Sequence, residues 1–291
     1  MVRGKSEHYV PQFYLKNFTI GGKGKTLYCF DKATLKEFIS TPKNVACGKH
    51  FYDAEPSEQS VENFLSKIEA DFSVAYNKLI IERDLRELKL DEVKNIATFI
   101  VLQELRTREW RETLRDLVKQ LNERLSKYKM SDKLKEELED VTREEYPKEM
   151  QLGMISRYLG EFVEMMLGTK WILIENGTQM LFWTSDQPVT RYNPVDKSPL
   201  GNLGILCEGI QIFYPLTPLL ALCFCDPFHY HRYPDKMTTK NVDNVIFQNS
   251  MQVLWSTRLI FSQDKDFSLV RRMLKEQPTF ADVNRKRMSV S

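Results

Sequence analysis

GEFVEMMLGTKWILIENGTQMLFWTSD, residues 160–186, carries the reading that decides the fold. Residues 148–167 read as one helix, and Gly168 closes it as a C-terminal cap. Beyond Gly168 the pattern turns to β: TKWILIENG (169–177), then TQMLFWTSD (178–186), joined by Asn176 and Gly177, the commonest signal for a two-residue type I′ hairpin. Helix on one side of Gly168 and sheet on the other make an α+β protein with a helical block at about 57–168 and a sheet-rich part at about 169–278. Further strands are expected at GILCE (204–208), IQIFYPL (210–216) and LLALCFC (219–225), in an order that suits a mainly antiparallel sheet. A helix at 238–256, a strand at RLIFS (258–262) and a short helix at 267–277 follow, and the tail after Pro278, with Arg285, Lys286 and Arg287, reads as frayed.

Toward the N-terminus, Ser57 caps a helix whose stripe is Val61, Phe64, Leu65, Ile68, Phe72 and Ala75. A second stripe, from Val93 and Ile96 through Leu105, Trp110 and Leu114 to Leu125, reads as one helix from Asp91 to about Lys127. At 1.5 Å per residue it would be on the order of 55 Å long. Its charged second half would project, with 131–149 folding back along it as a helical hairpin. TLYCFDK (26–32) and TLKEFIS (34–40) form an N-terminal hairpin that bends near Lys32 to Thr34. Residues 11–18, opening on Pro11, make a short helix. GGKGKT (21–26) is not a phosphate-binding loop, because Thr19 stands where that motif needs glycine and a strand follows where it needs a helix. No repeat or low-complexity linker divides the chain, so 1–291 is expected as a single compact domain.

The chain has 291 residues, 42% hydrophobic and 28% charged, which excludes disordered and fibrous classes. Forty-two basic and forty acidic residues leave +2, so any nucleic-acid contact must come from a local patch. The N-terminus lacks the apolar segment of a signal peptide and no stretch nears the roughly 18 apolar residues of a membrane span, which implies a cytoplasmic protein without membrane contact. Five cysteines, an odd number, argue for free thiols. Cys223, Cys225, His229 and His231 have metal-like spacing. Read as a buried strand followed by a loop, they are small core hydrophobes and exposed imidazoles instead.

His8-Tyr9-Val10-Pro11-Gln12-Phe13-Tyr14-Leu15, with Asn17 and Phe18, resembles the signature of the domain-of-unknown-function 4238 family, widespread in bacteria. Further landmarks follow in order: Phe51-Tyr52-Asp53, Glu62 and Glu69, Gln103 to Arg106 with Arg108, Trp171, Thr184-Ser185-Asp186 with Pro188, Pro215 to Pro218, and Asn249 with Arg258. The resemblance implies no defined reaction. It implies association with antiviral or mobile-element contexts.

The residues that could carry chemistry come from three blocks. His8 and Gln12 share a face if the helix starts a turn early, the imidazole as acid or base and the amide as orienter. The plain alternative is that they cap and satisfy backbone. Ser185 and Asp186 sit at an abrupt strand end, as catalytic groups do, or as an Asx turn does. Glu69, and Glu62 seven residues before it, set against Asp186 would suit Mg²⁺ or Mn²⁺. Gln103 and Arg106 share a face at i, i+3, and arginine suits phosphate. No cysteine pairs with an evident base. Together these predict a hydrolase of a phosphate ester in nucleic acid or nucleotide: His8, Gln12 and Asp186 catalytic, Arg106, Ser185 and Gln103 on the substrate, Asp186 and Glu69 on a metal. The alternative is a non-enzymatic interaction protein that uses its long helix to bind a partner or form a homodimer.

Overall fold

The first layer is built where aromatic side chains meet from distant parts of the chain. The computed structural model describes residues 6–49, 51–52, 61–128, 140–141, 143–195 and 202–287, without the side chain of Glu62. Two long helices, α2 (Val61–Glu82) and α3 (Leu90–Leu105), pack against each other after the short α1 (Gln12–Leu15). Phe72 and Phe99 stack at 3.7 Å between centroids with their planes 5° apart, and Phe13 touches both. Tyr14, fully buried, donates to Pro215 O at 2.8 Å and lies 2.7 Å from Thr184 Oγ1, while Tyr76 OH bonds Leu216 O. Such buried hydroxyls must find carbonyls. They thereby tie the N-terminal helices to the late strands.

The fold is α+β with mainly antiparallel sheets and an N-terminal hairpin, β2 (Leu27–Asp31) with β3 (Lys36–Ser40). That hairpin does not stand alone. β11 (Leu259–Ser262) pairs antiparallel with β2 and with β6 (Thr184–Ser185), giving the sheet order β3-β2-β11-β6. A five-stranded sheet runs β10-β5-β9-β8-β7, from β10 (Lys236–Thr239) through β5 (Lys170–Asn176), β9 (Leu220–Cys225) and β8 (Gln211–Thr217) to β7 (Thr190–Tyr192). Its pairs are antiparallel except β10 with β5. Helices α4 (Arg108–Leu125), α5 (Tyr146–Leu167), α6 (Val242–Trp255) and α7 (Ser268–Glu276) complete the α-helices among the described residues.

Several expectations are corrected. The long helix of 91–127 is two helices broken at Arg106 and Thr107, with Thr107 as N-cap accepting Trp110 N–H. The break is held by side chains that take the freed carbonyls: Gln151 Nε2 donates to Leu105 O at 2.7 Å and Thr107 O at 2.9 Å, and Tyr52 OH to Arg106 O at 3.1 Å. The Asn176-Gly177 hairpin does not form. A type I′ turn needs positive φ at both central residues, and neither has it. Instead Asn176 folds its amide onto its own loop, accepting Thr178 N–H at 3.0 Å and donating to Met180 O at 2.7 Å, so the chain leaves for another sheet and residues 178–183 are not strand. GILCE is turn rather than strand, and 236–239, read partly as helix, is β10. Gly209 in that turn region has φ +80°, and a Cβ there would come within 2.5 Å of Val195 Cγ2, so only glycine fits.

The tail is docked, not frayed. Glu109, almost fully buried, receives Arg285 NH2 at 2.6 Å, Arg287 Nε at 2.9 Å and Thr257 Oγ1 at 2.8 Å. Burying this carboxylate requires such partners. The expected Ser57 cap, Asp53 and residues 131–139 lie outside the described residues. Cys223 and Cys225 are buried on one face of β9 with sulfurs 3.4 Å apart, packed as small core side chains.

Candidate functional site

β1 (Ser6–His8) and β4 (Cys47–Lys49) form a two-stranded ribbon beside α1 and α2. Tyr9 and Val10 both aim their N–H at Ala46 O, at 3.0 and 3.4 Å, and Pro11 then turns the chain into α1. His8 is therefore in a strand, so the early helix turn that would have set it on one helical face with Gln12 does not form. It still shares a wall with Gln12. A cavity of about 180 Å³ opens between the ribbon and the helices, lined by Glu7, His8, Gln12, Tyr52, Leu65 and Glu69 among others.

Behind the cavity runs a buried polar chain. Glu69 Oε1 accepts Arg106 NH1 at 2.8 Å, Arg106 Nε donates to Gln103 Oε1 at 3.1 Å, and Gln103 Nε2 donates to Tyr9 O at 2.8 Å. Arg106 is wholly inaccessible, and its NH2 has no hydrogen-bond partner. A buried guanidinium N–H left unpaired is costly, and it marks a place where an acceptor would be favourable. On the opposite wall Glu7 Oε2 accepts Tyr52 N–H at 2.7 Å.

His8 is half-buried with Nε2 3.1 Å from Lys43 O. A carbonyl only accepts, so Nε2 carries the proton and Nδ1 keeps a lone pair. Burial pulls the imidazole down. The Cys47 thiol, the Lys43 carbonyl and the Glu69 charge outweigh it and lift His8 above the 6.5 of a free imidazole.

Ser185 and Asp186 do not line this cavity. Asp186 is buried with Oδ1 accepting Thr257 N–H at 2.9 Å and Oδ2 accepting Arg258 and Leu259 N–H at 2.8 and 2.9 Å. Ser185 Oγ lies 2.7 Å from Gln252 Oε1 and 2.8 Å from Gln187 O. The shared Asp186 and Glu69 metal site is thus not assembled: one carboxylate holds three backbone N–H groups and the other an arginine. Among the described residues no three His, Cys, Asp or Glu side chains group as metal ligands. The structure brings together His8, Gln12, Glu69, Gln103 and Arg106, and sets Ser185 and Asp186 apart. Glu7 and Cys47 are absent from the sequence candidates, and Tyr52 enters there only within the Phe51-Tyr52-Asp53 landmark. Of these, Cys47 carries no local signal, because only ribbon pairing brings it opposite His8, 39 positions earlier.

A second cavity of about 410 Å³, mainly apolar, lies between α3, α5 and the 204–207 turn. At its edge Arg191 grips Glu104 through two bonds of 2.6 and 2.7 Å. No helix among the described residues is long and apolar enough to cross a membrane.

A family model described as a protein of unknown function, DUF4238, matches residues 7–266. That span contains the whole cavity and its polar backing. No curated protein and no solved structure matches the chain.

Proposed function

The chain belongs to the DUF4238 family, whose description assigns no reaction, and we propose from the geometry that the His8 cavity is the active site of a hydrolase acting on a phosphate ester of nucleic acid or nucleotide. One observation carries the reading: a fully buried arginine with an unpaired N–H group is bonded to Glu69, a wall residue of the same cavity that His8 lines. Phosphate is the anion that best uses such a guanidinium, since its oxygens accept paired N–H donors. Glu69 now occupies one of those donors, as a carboxylate does in an empty anion site. His8 relays the proton between the nucleophile and the leaving oxygen, Gln12 orients the ester, and Arg106 balances the charge that grows on phosphorus oxygens. Acting on nucleic acid in the cytoplasm, such an enzyme would suit antiviral defence.

The test is cleavage of single- and double-stranded DNA and RNA and of nucleotides by the purified chain, with Mg²⁺, with Mn²⁺ and with chelator. His8→Ala should lower the rate by about 10²–10⁴-fold with unfolding unchanged. Because His8 is lifted, the limb of the pH profile that it governs should fall above pH 6.5. Unaltered cleavage by the variant would remove His8 from the chemistry.

A second reading, an interaction protein or homodimer, rests on Leu121 and Leu125 at the end of α4 and Tyr128 just beyond it, large apolar side chains that are exposed. It predicts a dimer by light scattering that Leu121→Glu disperses.

A further inference from the structure

The ribbon register sets Cys47 directly opposite His8. Directly opposed residues of an antiparallel pair place their side chains on the same face, about 5 Å apart at Cβ. His8 lines the cavity, and Cys47 shares its face of the ribbon, beside the lining residues rather than among them. Both side chains address one acceptor: His8 Nε2 is 3.1 Å and Cys47 Sγ 3.8 Å from Lys43 O. With Nε2–H committed there, Nδ1 is the nitrogen left to take a proton.

The backbone leading to Cys47 is unusual as well. Ala46 has φ +50°, a left-handed conformation rare for alanine, and is held in it by the two N–H groups on its carbonyl. Strain of this kind is kept where the surroundings over-determine it, and it turns the chain so that residue 47 faces residue 8.

Resting on the reading of this cavity as hydrolytic, we infer that Cys47 is its nucleophile, activated by His8 as base, and that phosphate-ester hydrolysis proceeds through a covalent phosphocysteine. His8 Nδ1 takes the thiol proton. Sγ forms a bond to phosphorus as the bond from phosphorus to the leaving oxygen breaks, and that oxygen takes the proton from His8. Water, deprotonated by His8, then attacks phosphorus. The S–P bond breaks, and the thiolate recovers the proton from His8. The net change is ester plus water to phosphate plus alcohol.

Electrostatics agrees with this assignment. The His8 hydrogen bond, with help from Ser6, holds the Cys47 thiol below its ordinary value although burial pushes it up. Glu69 adds its charge to the His8 side of the pair. Two other thiols differ: burial pushes Cys29 up to about 12, and the hydrogen bond to Cys225, with burial, raises Cys223 well above its ordinary value. Thiolate is the reactive form, so the pairing selects Cys47.

The deciding experiment is alkylation of the full native chain with iodoacetamide from acid to mildly alkaline pH, read residue by residue by mass spectrometry, in wild type and His8→Gln. Half-buried Cys207 is the internal reference. At about pH 6 Cys47 should react roughly tenfold faster than Cys207 or more, and the excess should vanish in His8→Gln. Reaction of Cys47 at the Cys207 rate, or an excess untouched by the substitution, overturns the inference. In parallel, Cys47→Ala and Cys47→Ser are assayed for cleavage. Loss of cleavage with unchanged unfolding, and a phosphoryl adduct on quenched wild-type Cys47, support it. Cleavage at the wild-type rate in Cys47→Ala removes the nucleophile but leaves the His8 hydrolase standing. A wild type that cleaves no phosphate ester while Cys47 keeps its His8-dependent reactivity removes the phosphate reading and leaves the activated thiol.

Discussion

Replacing Asp186 by asparagine separates an anchor from a catalyst. The carboxylate accepts three backbone N–H groups, one on Oδ1 and two on Oδ2, all from Thr257 to Leu259 where the chain enters β11. An asparagine of the same shape offers one oxygen. Turned toward Arg258 and Leu259 it keeps two bonds and sets its NH₂ against Thr257 N–H; turned the other way it loses two. The better choice still forfeits one charge-assisted bond, worth about 1.5–3 kcal/mol, and weakens two others by about 0.5–1 kcal/mol each. Part of this is offset, because an amide costs less to bury than an ionised carboxyl, and burial is the largest influence on Asp186, raising its proton affinity. Lys32 loses a favourable charge in the same change. The net expectation is a loss of about 2–4 kcal/mol, or roughly 3–7 °C in Tm for a chain of this size. Urea unfolding in chelator-free buffer measures the stability, and cleavage normalised to folded protein measures the chemistry. Unchanged stability with abolished cleavage would refute the anchor and return Asp186 to the active site.

Two further outcomes are expected of the same framework. Arg285→Ala with Arg287→Ala leaves Glu109 buried with Thr257 alone, and breaking a buried pair in this way should cost about 3–5 kcal/mol by urea unfolding; no loss would mean that the tail is not docked in solution. Thr107→Ala removes the α4 cap and should cost about 1 kcal/mol, whereas a wild-type midpoint would mean that Gln151 and Tyr52 hold the helix break without it.

The elements legible in the sequence are those whose own residues settle their partners. Leu259–Ser262 and the hairpin of β2 and β3 read correctly because their apolar strands have turn residues on either side. The break at Thr107 was legible in principle. The stripe of the expected helix steps five residues from Leu105 to Trp110, a phase slip, with a threonine cap between them; without proline or glycine it passed as continuous. Asn176-Gly177 misled because the asparagine amide satisfied its own loop, a local bond that competes with the hairpin. β10 was missed because KMTT is short, largely exposed and paired with β5 on only one side. Lys32, placed by the sequence at the bend of the hairpin, is fully buried and donates to Val253 O and Ser256 O at 2.7 Å each, which no local pattern announces.

The candidate site divides along the same line. His8 and Gln12 lie close in sequence, and Gln103 and Arg106 share one helix turn, so each pair was visible before the cavity was. Asp186 was visible too, and for a sound reason: a carboxylate at a strand end must do something. What a sequence does not distinguish is a carboxylate aimed at solvent from one aimed at backbone, because both are written as aspartate before a turn. The difference lies in where the N–H groups of residues 257–259 point, seventy positions away. Cys47 shows the converse. Nothing near it suggests a base, yet the ribbon sets it against the one histidine on the cavity wall. It is the long-range backbone arrangement, not the type of residue, that ties Asp186 to the N–H groups of residues 257–259 and sets Cys47 against His8.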